Sequence, residues 1–433
     1  MRRSPRLEPA SEQLDADPYL ATDGIMTANL AVNVTGVTAP RGYRASGVSA
    51  GIKRSGGRPD APLDLALLVS DTAATAAAVF TTSRAPAAPV VLSREHLAQS
   101  GGVARAIVVN SGCANACTGD AGMQAARDMA ADTAKLVACP VAEVLVASTG
   151  VIGVALPIDK IRHALPTAYR GLSADQGPTA ARAIMTTDPF PKEAATVIHI
   201  GGREVRIGGM AKGSGMIEPM MATMLGFVTT DAAVPLPLLQ GALREAVNDT
   251  FNAITVDGEC STNDTVMILA NGASGAAVDA ETYPVFVAGL RAVCLELALG
   301  IVRGGEGATK LVTVTVTGAA SAEDARRAAK AIANSPLVKT AIHGGDPNWG
   351  RLIAVAGRAN VAFELSRAAV MIGSIVLFKD GRPHDEAAPQ AATYLKGKDI
   401  AVSVDLGSGT ASSTVWTCDL SEEYVTINAD YRT

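Results

Sequence analysis

Aromatic residues are scarce, at 4% of a 433-residue chain that is 48% hydrophobic, so the core must be built mainly from Ala, Val, Ile and Leu. No uninterrupted run of 18 or more apolar residues appears, and the opening Met1-Arg2-Arg3-Ser4-Pro5 leads into polar and acidic residues rather than an apolar stretch before a cleavage site. The reading is therefore a soluble, cytoplasmic protein without a membrane span. The chain has no basic excess either. Its 37 Lys and Arg against 42 Asp and Glu give a net charge of −5 with no cluster that could track phosphates, which argues against nucleic acid as a partner. The six cysteines show neither disulfide density nor paired CxxC spacing. Cys113 and Cys117 form an isolated CxxxC, read as small apolar fillers in a reduced compartment rather than a metal half-site. None of the five histidines stands in a context that marks a general base.

What is present is length enough for two domains or one two-lobed unit. Residues 1–35 carry Pro, Asp, Glu and Ser with weak periodicity and read as an extension of disordered composition, with order beginning near Gly36. Short apolar runs bounded by turn residues predict strands at 106–109, 144–147, 266–269, 311–316 and 401–404. Helical periodicity predicts helices over 122–137, 236–253 and 285–302, and Ser321 with Asp324 marks a capped start for another over 322–334. Strands mixed with unequally spaced helices favour a layered α/β or α+β architecture over a repeating βαβ fold.

Two motifs invite chemistry and fail their templates. Gly47-Val48-Ser49-Ala50-Gly51 matches the nucleophile elbow of serine hydrolases, but Gly42-Tyr43-Arg44 before it and Lys53-Arg54-Ser55-Gly56-Gly57 after it read as loop, where a strand and a helix are needed. The segment Gly208 to Gly215 lacks the glycine and lysine positions of a phosphate cradle and reads as a turn-rich loop. Directly after it, Thr223 follows the small residue Ala222 and precedes an apolar run to Phe227. A threonine there can be a plain β-former. If the backbone is cut just before it, however, the freed α-amine, with a pKa of about 8, can activate the adjoining hydroxyl. That arrangement would explain why no histidine base is found.

Ala222-Thr223-Met224-Leu225, with Lys212-Gly213-Ser214-Gly215-Met216 upstream, resembles the self-cleavage segment of the glutamate/ornithine N-acetyltransferases. Seven further stretches resemble the same family in the same order: Asn110–Gly119, Ser148–Gly153, Met185–Asp188, Ser261–Thr265, Gly304–Lys310, Asp346–Arg351 and Asn428–Thr433. The likeness runs from about Gly36 to the last residue.

The resemblance implies a layered αββα-type sandwich of the ornithine acetyltransferase/aminopeptidase kind, in which self-cleavage yields an α chain ending at Ala222 and a β chain of 223–433. It implies Thr223 as nucleophile, Thr149 and Gly150 as oxyanion donors, and Thr186, Lys212, Thr223, Glu306, Asn428 and Thr433 as substrate residues. The types fit a zwitterionic amino acid, since Lys212 can pair a carboxylate and Glu306 an ammonium. The implied reaction moves acetyl from N-acetylornithine to glutamate, releasing ornithine and N-acetylglutamate. It needs no metal or organic cofactor, and acetyl-CoA enters only as a second acetyl donor in bifunctional members. An α2β2 assembly goes with it. Alone, Lys212 and Glu306 would be exposed loop charges and Ser148-Thr149-Gly150 a tight turn; the order of motifs is what overrides those readings. Cys113, Pro189 and Met220 depart from the expected pattern. The alternatives are a self-cleaving aminopeptidase or amidase of the same fold, which would hydrolyse its acyl-enzyme, and an uncleaved binding protein.

Overall fold

The computed structural model describes residues 36–53, 61–218 and 224–430. The 1–35 extension, Met220, the proposed cleavage pair Ala222 and Thr223, and Thr433 lie outside the described residues.

The first half supplies β1 (Tyr43–Val48), β2 (Leu65–Phe80), α1 (Ala88–Gln99), β3 (Val103–Cys113), α2 (Gly119–Val137), β4 (Val144–Val151), α3 (Ile158–Arg170), α4 (Gly177–Ala183), β5 (Lys192–Ile200) and β6 (Arg203–Lys212). The second supplies β7 (Leu225–Thr230), α5 (Leu236–Asn248), β8 (Thr265–Ala270), α6 (Tyr283–Arg303), β9 (Leu311–Ala319), α7 (Ala322–Ala333), α8 (Pro336–Gly344), α9 (Trp349–Gly357), β10 (Ala369–Ile372), β11 (Ile375–Lys379), β12 (Arg382–Pro383), α10 (Ala388–Tyr394), β13 (Asp399–Asp405), β14 (Ala411–Cys418) and α11 (Glu422–Asp430). Each strand predicted from the sequence falls inside one of these, and each predicted helix has its counterpart. Ser321 caps α7 as expected, its Oγ accepting from the Asp324 N–H at 3.1 Å.

One sheet runs β4-β3-β2-β8-β7-β6-β5, with β1 also paired to β2. The long strand β2 changes partners along its length. Its first part pairs with β1 and β3 and its last part with β8, with a register break between Val69 and Ala74. Successive residues of the sheet serve different cores. Ala106 and Val108 of β3 pack with α2 and α3, while Ile107 and Val109 join Met210, Phe227, Met267 and Leu269 from the opposite half of the sheet. On that half Val228, Val266 and Ile268 turn the other way, toward α5 and α6. The two half-sheets therefore face each other across a shared interior with helices outside both, an αββα sandwich. Burial on both faces is why these strands read as continuous apolar runs rather than alternating ones. A second sheet, β12-β11-β10-β13-β9-β14, packs its own core under α7, α8 and α9.

Among the described residues, α6 is long and apolar enough to cross a membrane, but half of its most apolar stretch is buried inside the protein. Phe286, Leu290, Val293, Leu297 and Ile301 lie against the sheet, as in a core helix.

Two loop readings are corrected. Tyr43 and Arg44 lie in strand β1, because Tyr43 is fully buried and its hydroxyl donates to the Leu269 and Thr230 carbonyls at 2.8 and 3.0 Å. The elbow still fails, since among the described residues Ser49 is followed by irregular backbone and then strand β2, with no helix directly after it. Gly208 to Lys212 are likewise strand rather than turn. A Cβ on Gly208 would sit 2.0 Å from the Gly36 carbonyl oxygen, and one on Gly209 would sit 2.9 Å from Leu297 of α6. These glycines serve close packing inside a strand, which composition alone does not distinguish from a loop.

Candidate active site

Several chain ends converge at one end of the large sheet. Strand β4 finishes through Thr149 and Gly150, β6 finishes at Lys212, and β7 and β8 start at Leu225 and Thr265, with Lys212 opposite Leu225 and Leu225 opposite Thr265. A cavity of about 130 Å³ opens there. Thr149, Gly150, Thr186, Lys212, Glu306 and Asn428, six residues from five separate places in the sequence, all line it.

Ser148-Thr149-Gly150 is a strand end with an irregular register against Gly112 and Cys113 of β3, not a free turn. Gly150 takes φ +126°, and a Cβ there would lie 2.4 Å from the Gly112 carbonyl carbon, so only glycine fits. The segment is fixed from behind. Ser148 Oγ donates to Asn110 Oδ1 at 2.6 Å, and Asn263 Nδ2 donates to the Ser148 and Ala114 carbonyls at 2.8 and 2.7 Å.

Lys212 is almost wholly buried, and its ammonium donates to Thr149 Oγ1 at 3.1 Å. The hydroxyl oxygen thus accepts from Lys212 while its own hydrogen remains available for donation. Burial lowers the Lys212 pKa, and the carboxylates of Asp188, Asp264 and Glu306 work in the other direction. Glu306, also buried, is tied by its N–H to the Ser214 carbonyl at 2.9 Å and receives Asn428 Nδ2 on Oε2 at 2.9 Å. A Cβ at Gly215 would be 2.3 Å from that same Oε2, so this glycine leaves room for the carboxylate. Neither Lys212 nor Glu306 is the exposed loop charge that each would be in isolation.

Thr186 is positioned by Asp188, whose Oδ2 accepts the Thr186 N–H at 2.9 Å and whose Oδ1 accepts the Gly213 N–H at 2.7 Å and the Lys192 ammonium. Burial would raise the Asp188 carboxyl, but the charges of Lys192 and Lys212 outweigh it and hold the pKa down at about 2. On the far side of Lys212, Asp264 is buried with its pKa pushed well up by burial, and its Oδ1 accepts the Met224 N–H at 3.1 Å. Met224 is itself buried and leads straight into β7.

Asp257, Glu259 and helix α11 form another part of the wall, with Thr187 and Ser261 also on the lining. Asp257 accepts the N–H groups of Met216 and Ile217 at 2.6 and 2.8 Å and the Tyr424 hydroxyl at 3.3 Å. Tyr424 and Asn428, four residues apart, lie on one face of α11 and both reach the cavity. Among the described residues no group of three or more His, Cys, Asp or Glu side chains could hold a metal ion. Cys113 is buried as expected of a filler, whereas Cys117 is exposed in the left-handed region at φ +56°, which corrects the filler reading for that residue.

A family model, the ArgJ family, matches residues 44–433. The chain belongs to the ArgJ family. It is thereby an acyltransferase of arginine biosynthesis. It is 49% identical over 410 residues to the arginine biosynthesis bifunctional protein ArgJ of a Synechococcus strain, covering 92% of this chain and 97% of that protein. With the protein of the same name from Thermosynechococcus vestitus the identity is 50% over 416 residues, covering 92% and 98%. Among solved structures, the arginine biosynthesis bifunctional protein of Bacillus halodurans is 44% identical over 48% of this chain and 100% of its own, with a TM-score of 0.47.

Several cavity residues of this ArgJ-family chain were not singled out from sequence. Asp257, Glu259 and Tyr424 stand outside the motifs that carry the family resemblance, and the four-residue spacing of Tyr424 and Asn428 became a signal only once the structure placed both on helix α11. Asn263 on the lining, and Asp188 behind it holding Thr186, lay inside those motifs without a role that residue type alone could assign.

Proposed function

We infer that the chain is a self-cleaving glutamate N-acetyltransferase that transfers acetyl from N2-acetyl-L-ornithine to L-glutamate. The observation that carries this reading is the convergence of Thr149, Gly150, Thr186, Lys212, Glu306 and Asn428 on one cavity at the sheet end where β6 stops and β7 begins. In maturation the Thr223 hydroxyl adds to the Ala222 carbonyl carbon, the peptide C–N bond breaks, and the acyl group moves to oxygen. Water then hydrolyses the ester, leaving an α chain of 1–222 and a β chain that starts at Thr223 with a free amine.

Catalysis reuses that hydroxyl. The Thr223 amine takes its proton as the oxygen attacks the acetyl carbonyl of N-acetylornithine, and returns it to the departing α-nitrogen of ornithine. The Thr149 hydroxyl, with its oxygen occupied by Lys212, and the Gly150 N–H stabilise the oxyanion, a role for which preorganised donors are worth several kcal/mol, ~3 for one donor. Glutamate then takes the acetyl group by the same steps in reverse, a ping-pong cycle. Lys212 pairs a carboxylate, Glu306 an ammonium, and Asn428 with Thr433 completes the substrate contacts. Every group needed is a side chain or backbone group, so the reaction calls for no metal or organic cofactor; acetyl-CoA serves as a second donor if the chain also makes N-acetylglutamate directly. The mature enzyme is read as a cytoplasmic α2β2 assembly.

The test is the denatured intact mass of the purified chain beside a Thr223→Ala variant, followed by assay. The expected result is two fragments with a new N-terminus at Thr223, absent from the variant, and loss of N-acetylornithine that requires glutamate. An intact wild-type chain would sink the amine-base mechanism. Loss of N-acetylornithine without glutamate would make the enzyme a hydrolase of the aminopeptidase kind.

A further inference from the structure

One cavity that serves both half-reactions must hold two side chains of opposite charge. Ornithine ends in an ammonium and glutamate in a carboxylate, and this argument rests on the acetyl-transfer reading above. The wall formed by Asp257, Glu259 and Glu306 suits the ammonium and repels the carboxylate. Beside those three carboxylates a further carboxylate is admitted only if a donor turns toward it.

Asn428 has both amide hydrogens engaged, one with Glu306 Oε2 at 2.9 Å and one with the Tyr424 carbonyl at 3.0 Å. The Tyr424 hydroxyl is held more loosely. Its bond to Asp257 Oδ2 is 3.3 Å, long for an O–H···O contact, where 2.7–2.8 Å is typical at about the optimum. Asp257 loses little when that bond is given up, because the N–H groups of Met216 and Ile217 already donate to its two oxygens at 2.6 and 2.8 Å.

We propose that the Tyr424 hydroxyl decides acceptor specificity: it stays on Asp257 when an ornithine side chain is bound and turns to donate to the γ-carboxylate when glutamate is bound. No covalent bond changes; one hydrogen bond is exchanged for another. Burial, followed by the charges of Asp257, Glu306 and Glu259, pushes the Tyr424 phenol well above its ordinary pKa, so the hydroxyl keeps its hydrogen and remains a donor throughout the neutral range. Lys212, the buried cation of the cavity, is held on Thr149; a second fixed cation beside Asp257 and Glu259 would have neutralised that wall for glutamate and spoiled it for ornithine. A neutral donor that can change partners serves both.

The experiment compares two acetyl acceptors on one preparation of the mature wild-type enzyme and of Tyr424→Phe. Incorporation of labelled ornithine into N-acetylornithine reports the ornithine half-reaction, and N-acetylglutamate formation reports the glutamate half-reaction. In the variant, kcat/KM for glutamate is expected to fall by about tenfold or more while ornithine exchange stays within about twofold. The ratio of the two is independent of the fraction of chains cleaved or folded. Equal loss with both acceptors, no loss with either, or a larger loss with ornithine would each overturn the proposal. A wild-type enzyme that neither exchanges ornithine nor acetylates glutamate would instead overturn the acetyl-transfer reading beneath it.

Discussion

The side chains of Asp188 and Lys192 are 0% and 1% exposed, and together they join Thr186 to the end of β6. Two charges taken this far from water stabilise the fold only as a pair, and removing one partner of a buried pair costs about 3–5 kcal/mol. Asp188→Asn is expected to cost that much at neutral pH by denaturant unfolding. The pH dependence follows from the carboxyl's folded pKa of about 2, below the unfolded value of about 3.9. A depressed carboxyl contributes stability that is fully present above about pH 4 and is lost as pH falls toward 2. The unfolding midpoint should therefore drop between pH 5 and pH 2 in the wild type, with a shallower slope in the variant. Little of this was legible beforehand. Asp188 and Lys192 are four apart but not on a helix, so no spacing rule pairs them. Lys212 was picked out only through the order of motifs around it, because its burial depends on β4 and on Glu306, 94 residues further on.

Elements were far more legible than single side chains, for reasons visible in particular stretches. The helix of Ala322–Ala333 carries its own start signal in Ser321 and Asp324, a local device that sequence reading can find. Ser321→Ala is expected to lower stability by about 1 kcal/mol, read as a shift in denaturant midpoint without a change in slope. Strand β8 was recognisable from Val266 to Leu269 because both faces are buried and the apolar run is unbroken. Strand β6 was not, since Gly208 and Gly209 suppress the β-signal. Their reason for being there, the close approach of Gly36 and of Leu297, lies 172 and 88 residues away. Helix α11 shows the opposite limit. It has no buried residue of its own, so its amphipathicity is weak, and its role is legible only from Tyr424 and Asn428 facing the cavity.

At the scale of the whole molecule, the two segments on either side of the proposed cut do not form separate bodies. Strands β2, β3 and β4 and strands β5 and β6 come from residues before it, while β7 and β8 between them come from after it. Cutting at Ala222-Thr223 would leave both edges of the β7–β8 pair hydrogen-bonded to the other chain and Phe227 and Met267 in the shared interior. The two chains are expected to co-elute on size exclusion in native buffer and to part only in denaturant, and separation without denaturant would refute the interleaved arrangement. The same strand order also sets a timetable for synthesis. The strands made first cannot complete the sheet by pairing with one another, because β2 and β6 are neighbours only through β8 and β7. Until Ala270 has left the ribosome, the early strands lack their middle, and the nascent chain has no finished sheet end at which a peptide bond could be broken.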